Sequence, residues 1–269
     1  MKCPKCKSKN IRTPRCMNCE STCINCGYTG EMNMVTELDY FYIDKYDREK
    51  YIDANNDIII VKGGDGTLLK AINKYRHLNK PFFGIAAGTE NFLMNDSKNT
   101  DIFDNAKYKE FTLIKVYVTF KKPDILGELQ TVTEEYQAFN EVLMGGDLNT
   151  WAHFDVHDKD SIIGKFSGGG ICISTAQGST GFNMGNGGSV FPLGSKQWSV
   201  TSVVSKRNIN IPIKSKRTSI TVDSRTPITV WIDGQNKIIQ RVEKIEIMKG
   251  DKVTVIFNDY KEFKKKRRV

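Results

Sequence analysis

Apolar positions in the first third of the chain follow two periods in turn. Met34 to Ile43 (MVTELDYFYI), Asp57 to Val61 (DIIIV) and Pro81 to Ala86 (PFFGIA) are β-branched or aromatic runs of strand length. Between them, DREKYIDA (47–54) predicts a short helix. TLLKAINKYRHL (67–78) predicts a longer one, because Leu68, Leu69, Ile72 and Tyr75 recur at three- and four-residue intervals and Thr67 is a fair cap. Strands alternating with helices predict a parallel sheet with covering helices over residues 32–105. From residue 106 to 244 the period shortens to two. FTLIKVYVTF, ELQTVTEEYQAF, HFDVHD, GICIST, SITVDS and PITVWIDG are short alternating runs broken by Gly, Pro and Asp, and KIEIMK and KVTVIF continue the pattern beyond. The expected fold class is thus α/β plus all-β.

Composition narrows the setting. Hydrophobic residues make up 39% and charged residues 26% of 269 positions, as in an ordinary globular protein with a substantial core. No apolar run approaches the roughly 20 residues a bilayer requires, and MKCPKCKSKN has no apolar signal region, so a cytoplasmic protein without membrane contact is expected. The net charge is +9, of which KKKRR (Lys264 to Arg268) contributes +5, leaving a mildly basic body of +4. That run reads as a solvated tail, with nucleic-acid contact a secondary possibility. Six of the seven cysteines lie in the first 26 residues as CPKC, CMNC and CINC. Three such pairs without a signal peptide point to thiolate metal ligation rather than disulfides. Cys3, Cys6, Cys23 and Cys26 have the spacing of a zinc ribbon over residues 1–31, with Cys16 and Cys19 as alternate ligands. Structural Zn²⁺ is the expected metal.

The sharpest local signal is VKGGDGTLLKAI (61–72), which reads as strand, glycine-rich turn, helix. Such a turn offers unpaired backbone N–H groups to a phosphate, and an acid there, Asp65, repels phosphate unless it holds a metal or takes a proton. The chain lacks G-x-x-x-x-G-K-[ST], the dinucleotide G-x-G-x-x-G, H-E-x-x-H and a protein-kinase catalytic loop, and His77, His153 and His157 show no ligand spacing. Three further elements follow in order: FNEV (139–142), STAQGSTGFNMGNGG (174–188) and WIDGQ (231–235). Each alone is explained equally well as a turn, a solvated pair or a hairpin.

Together and in this order, from about residue 57 to 240, the four elements resemble the ATP-dependent NAD kinase family, within the superfamily that also holds diacylglycerol kinases. The resemblance implies a Rossmann-like α/β nucleotide domain at 32–105, a β-rich NAD-binding domain at 106–244, and a segment, 245–269, that returns to the first. It further implies transfer of the ATP γ-phosphoryl, with Mg²⁺, to the 2′-hydroxyl of the adenosine ribose of NAD. Asp65 is then the catalytic carboxylate that accepts the ribose proton or positions Mg²⁺ near it. Gly63, Gly64, Gly66, Thr67, Gly187 and Gly188 are implied to hold the ATP phosphates, and Asn140, Glu141, Ser174, Thr175, Ser179 and Thr180 to hold NAD. A homo-oligomer, dimer or tetramer, is implied as well.

Departures fall on substrate recognition more than on phosphate handling. The acid of the family's G-D-G is Gly169 here, T-P-T-G-S-T-A-Y has become TAQGSTGF (175–182), and GIAAGTENF (84–92) carries Ala86 in place of asparagine. Two alternatives therefore stand beside the kinase of NAD: a superfamily kinase acting on another nucleotide or a lipid hydroxyl, and a non-catalytic NAD(P)-binding sensor.

Overall fold

The computed structural model describes residues 11–12, 21–23, 29–30, 40–44, 58–87, 91–96, 106–146, 151–214, 218–223, 228–234 and 237–266, with the backbone alone for 11–44, 218–223, 237, 238 and 266. The chain divides into two compact units, Met1–Asp39 and Tyr40–Val269. In the first, β1 (Ile11–Arg12), β2 (Ser21–Cys23) and β3 (Thr29–Gly30) form a three-stranded antiparallel sheet in which Ile11 faces Cys23. Cys3, Cys6, Cys16, Cys19 and Cys26 lie outside the described residues, and Cys23 is described by its backbone only. The expected metal ligation and the short helix at 47–54 therefore fall outside what the structure describes.

The second unit is mixed α/β and rich in sheet. β4 (Tyr40–Asp44), β5 (Ile58–Gly63) and β6 (Phe82–Ala86) are parallel neighbours. Ile58 to Val61 are all buried, as a strand covered on both faces must be. Between β5 and β6, α1 (Asp65–Tyr75) buries Leu68, Leu69, Ala71, Ile72 and Tyr75, the spacing read from sequence. It begins two residues earlier than expected because Gly64, not Thr67, takes the N-cap position, and it tightens into a 3₁₀ turn at Arg76–Leu78.

The β-rich part opens with a long hairpin, β7 (Lys107–Pro123) and β8 (Leu129–Ala138), followed by β9 (Glu141–Gly145), β10 (Ala152–Asp158) and β11 (Ser161–Ser174). After the one-turn helix α2 (Phe182–Gly185) come β12 (Gln197–Ser205), β13 (Asn210–Lys214), β14 (Thr218–Asp223), β15 (Thr229–Ile232) and β16 (Lys237–Ile239). β11 pairs with β10 up to Gly168 and with β9 from Gly170, while β12 runs along its other edge. At this handover a Cβ on Gly170 would overlap the Met144 carbonyl and one on Gly168 the Val204 carbonyl, so strand packing requires glycine at both positions.

The last strand, β17 (Val242–Phe257), serves both halves. Its first part pairs with β14 and β7, then a bulge at Gly250 and Asp251 shifts the register, and Val255 and Ile256 pair in parallel with Phe82 and Phe83 of β6. Val242, Ile245 and Ile247 belong to the core of the β-rich part, whereas Val253, Val255 and Phe257 belong to the core around α1. The chain closes with α3 (Tyr260–Lys266), held by Phe263, which is buried with its ring edge-on to Phe257 at 4.5 Å. Lys264 to Lys266, read as solvated tail, are thus part of a short helix. Among the described residues no helix is long and apolar enough to cross a membrane.

Candidate functional site

The glycine-rich turn sits where β5 gives way to α1. A Cβ on Gly64 or Gly66 would meet nothing within 4 Å, so open space lies over both residues, whereas Gly63 is packed against the Thr67 side chain. The Gly64 carbonyl accepts the N–H groups of Thr67 at 3.0 Å and Leu68 at 3.2 Å, closing the first turn, and this end of α1 carries the positive end of the helix dipole, which suits an anion in that space. Asp65 is half-buried, and its carboxylate accepts hydrogen bonds from the Phe92 N–H at 2.9 Å and the Leu93 N–H at 3.1 Å. The segment making those bonds is fixed by Asn95, only 1% exposed. Its amide donates to the carbonyls of Gly84 and Ile256, both at 2.9 Å, and its Oδ1 accepts the Asn258 N–H. The orientation of the Asp65 carboxylate is therefore set from the ends of β6 and β17.

Asn140 and Glu141 start β9, and their backbone is bonded from two sides. Asp233, 2% exposed, accepts the N–H groups of Phe139 at 2.7 Å, Asn140 at 2.7 Å and Glu141 at 3.2 Å, and also the Asn73 side-chain amide of α1 at 2.8 Å. On the other side Thr175 Oγ1 donates to the Phe139 carbonyl at 2.8 Å, Gln177 Nε2 donates to the same oxygen at 2.7 Å, and Thr175 N–H donates to the Asn140 carbonyl at 2.8 Å. What this leaves free are the side chains. Asn140 Oδ1 is buried without a hydrogen-bond partner, which in a folded interior calls for a ligand or a water. The Glu141 carboxyl is pushed up to about 8, first by burial and then by the neighbouring charge of Asp233. Burial likewise raises Asp233, against the pull of its four donors. Near neutrality Glu141 therefore keeps its proton and presents both a donor and an acceptor.

The hydroxyl-rich loop behaves differently from its sequence appearance. Ser174, Thr175, Ser179 and Thr180 are all buried, and the first three spend their hydroxyls on the loop's own backbone and that of residues 139–140: Ser179 Oγ, for example, donates to the Ala176 carbonyl and accepts the Phe191 N–H. Gly188 is filled by the Asn183 side chain, while Gly187 lies exposed with a positive φ of 76°. A Cβ on Gly178 would overlap the Asn140 carbonyl, so this loop can sit against the Asn140 backbone only as glycine. The structure thus brings Asn140, Glu141, Ser174 and Thr175 together, and Asp233 ties them to the helix that begins at Asp65.

Two cavities lie elsewhere. One of about 870 Å³ spans the outer face of β10, β11 and the turn after β12, lined by Trp151, His153, Lys165, Lys206 and Arg207. Another of about 350 Å³ borders Asn73, Arg76 and Asp251. Among the described residues no three His, Cys, Asp or Glu side chains cluster for a metal ion. A magnesium ion carried with a triphosphate needs less, since one carboxylate and the phosphates can share it with water, and Asp65 is the acid in place for that.

Residues 7–106 match the family model described as the ATP-NAD kinase N-terminal domain, and residues 139–261 match the ATP-NAD kinase C-terminal domain. The chain belongs to the NAD kinase family. Among its relatives, the NAD kinase of Finegoldia magna is 29% identical over 232 residues, which cover 82% of this chain and 81% of that protein. The NAD kinase of Rickettsia akari is 33% identical over 153 residues, 56% of this chain and 58% of that protein. Two solved structures share the fold of this NAD kinase family member. Yeast NADH kinase complexed with NADH has a TM-score of 0.62 at 17% identity, covering 77% of this chain and 64% of that one. An NAD kinase from Archaeoglobus fulgidus in complex with ATP has a TM-score of 0.61 at 18% identity, covering 79% and 82%. Asn73 and Asn95 were not anticipated from sequence. Their partners lie 160 residues away in one case and up to 163 in the other, and nothing local marks them.

Proposed function

We propose that this protein is an ATP-dependent NAD kinase. It moves the γ-phosphoryl of ATP to the 2′-hydroxyl of the adenosine ribose of NAD or NADH. The observation that carries the reading is the pair of unspent groups at the start of β9, Asn140 Oδ1 and the protonated Glu141, anchored through Asp233 to the helix whose first turn is the glycine-rich phosphate turn. An amide and a neutral carboxyl suit a base edge and a ribose diol, and the names of the relatives supply the acceptor.

Phosphoryl transfer needs in-line placement and charge stabilisation more than covalent chemistry. Gly64 and Gly66 leave room for phosphate oxygens over the start of α1, where backbone N–H groups and the helix dipole favour negative charge. Asp65 takes the proton of the 2′-hydroxyl as its oxygen bonds to the γ-phosphorus. The bond from that phosphorus to the β,γ-bridging oxygen breaks, and ADP leaves. Magnesium, when bound with ATP, neutralises phosphate charge. Thr67, Gly187 and Gly188 complete the proposed phosphate side, and Ser174, Thr175, Ser179 and Thr180 shape the dinucleotide side through the backbone they hold. Cys3, Cys6, Cys23 and Cys26 bind one structural zinc, with Cys16 and Cys19 as alternates. The protein acts as a homo-oligomer in the cytoplasm.

The test is incubation with Mg²⁺, ATP and either NAD or NADH, comparing wild type with Asp65→Asn. Formation of the 2′-phosphorylated product, lowered 10²- to 10⁴-fold by the substitution with NAD still bound, is expected. Equal rates in the two proteins, or phosphorylation only of a different acceptor, would refute the assignment.

A further inference from the structure

The 139–141 segment has nothing of its own to fix it at the start of β9. A backbone that must present two side chains to a ligand needs its amides and carbonyls tied down, and here the two sets are tied by different groups. Thr175 and Gln177 take the carbonyls of Phe139 and Asn140, and the Asp233 N–H takes that of Glu141 at 3.1 Å, whereas a single carboxylate, that of Asp233, takes all three amides. Asp233 reaches them from the turn after β15, where it sits at a positive φ of 47° that an aspartate tolerates better than most residues. Its Oδ2 carries a further bond, to the Asn73 side chain. Asn73 lies eight residues along α1 from Asp65, about 12 Å at the helical rise, so it is remote from the phosphate turn yet rigidly connected to it.

We infer that Asp233 is a positioning residue for the dinucleotide and that Asn73 acts through it, so that Asn140 and Glu141 meet their ligand in fixed register with helix α1. The inference rests on the proposed NAD kinase activity but assigns roles to two residues that touch neither substrate. With three N–H donors converging on it, the carboxylate at 233 has no isosteric substitute: an asparagine there would turn its own N–H₂ towards backbone N–H groups. Asn73 is half-buried and borders a cavity of about 350 Å³, so shortening it to alanine leaves room for water and does not hollow a packed core.

The decisive measurement is the split between KM values. Asn73→Ala is expected to raise the KM for NAD about tenfold while the KM for ATP stays within twofold of wild type and the thermal midpoint barely moves. Asp233→Asn is expected to raise the KM for NAD further, and the double variant should equal Asp233→Asn alone, because Asn73 has no route to the site except through that carboxylate. An unchanged KM for NAD in Asn73→Ala, an equal rise for both substrates, or multiplicative effects in the double variant would overturn the assignment. Wild-type protein that neither binds nor phosphorylates NAD would overturn the proposed function itself, and this inference with it.

Discussion

Replacing Glu141 with glutamine removes one proton-binding group from the interior and should change how stability depends on pH. In the folded chain its carboxyl titrates at about 8, whereas the unfolded chain has the ordinary 4.5. Between those values the folded form holds a proton that the unfolded form has released, so stability falls as pH rises, by about 1.36 kcal/mol per pH unit. From pH 5.5 to 7.5 the share of Glu141 in wild type amounts to about 2.5 kcal/mol, and the loss levels off above pH 8. The groups that face Glu141 are Asp233, after β15, and Cys172, on β11. Burial raises the Cys172 thiol out of this window, so it adds nothing to the slope. Glu141→Gln should therefore flatten the dependence by most of that amount. Urea unfolding followed by tryptophan fluorescence at pH 5.5, 6.5 and 7.5 measures both proteins, and titration of the cysteine-rich segment is common to the two and cancels. Parallel curves would refute the reasoning, since they would mean that Glu141 is ionised in the folded protein throughout.

Two glycines allow a contrast. Gly64→Ala meets no atom within 4 Å and should leave the unfolding free energy within about 0.5 kcal/mol of wild type while raising the KM for ATP, because the new methyl group occupies the phosphate space. Gly178→Ala runs into the Asn140 carbonyl and should cost about 2 kcal/mol or more and weaken NAD binding together with stability, both readable from unfolding curves and a binding titration. For the amino-terminal segment, elemental analysis should return about one zinc per chain, and double substitution of Cys3 and Cys6 should abolish it, whereas zinc retained in that variant would assign Cys16 and Cys19 as ligands; two metals would mean that all six cysteines ligate.

What the sequence disclosed and what it hid divide along locality. The turn at 63–67 was legible because glycine, acid and helical spacing are contiguous, and the strand at 58–61 because its burial on both faces appears as an unbroken apolar run. The order of four motifs carried the family although no motif did so alone. Roles that depend on distant partners left no such trace. Asp233 stood out only as part of a turn sequence, yet its four bonds reach back 92 to 160 residues. Ser174, Thr175 and Ser179 looked like ligand groups because hydroxyls and glycines crowd together there, but in the fold those hydroxyls satisfy backbone carbonyls. The basic run hid a helix for a related reason. Its charge was conspicuous, whereas the anchoring pair, Tyr260 and Phe263, lies just before it.

The strand that runs through both cores also dictates an order of assembly. Phe82 and Phe83 meet their partners Val255 and Ile256 only across some 173 residues of intervening chain, and loops of that size close slowly. On the ribosome, β4, β5 and β6 emerge early and must wait with one edge unmatched until β17 has been made. An unfinished edge of that kind is a hazard for aggregation. Truncation before Val255 would consequently damage the half of the enzyme that was synthesised first.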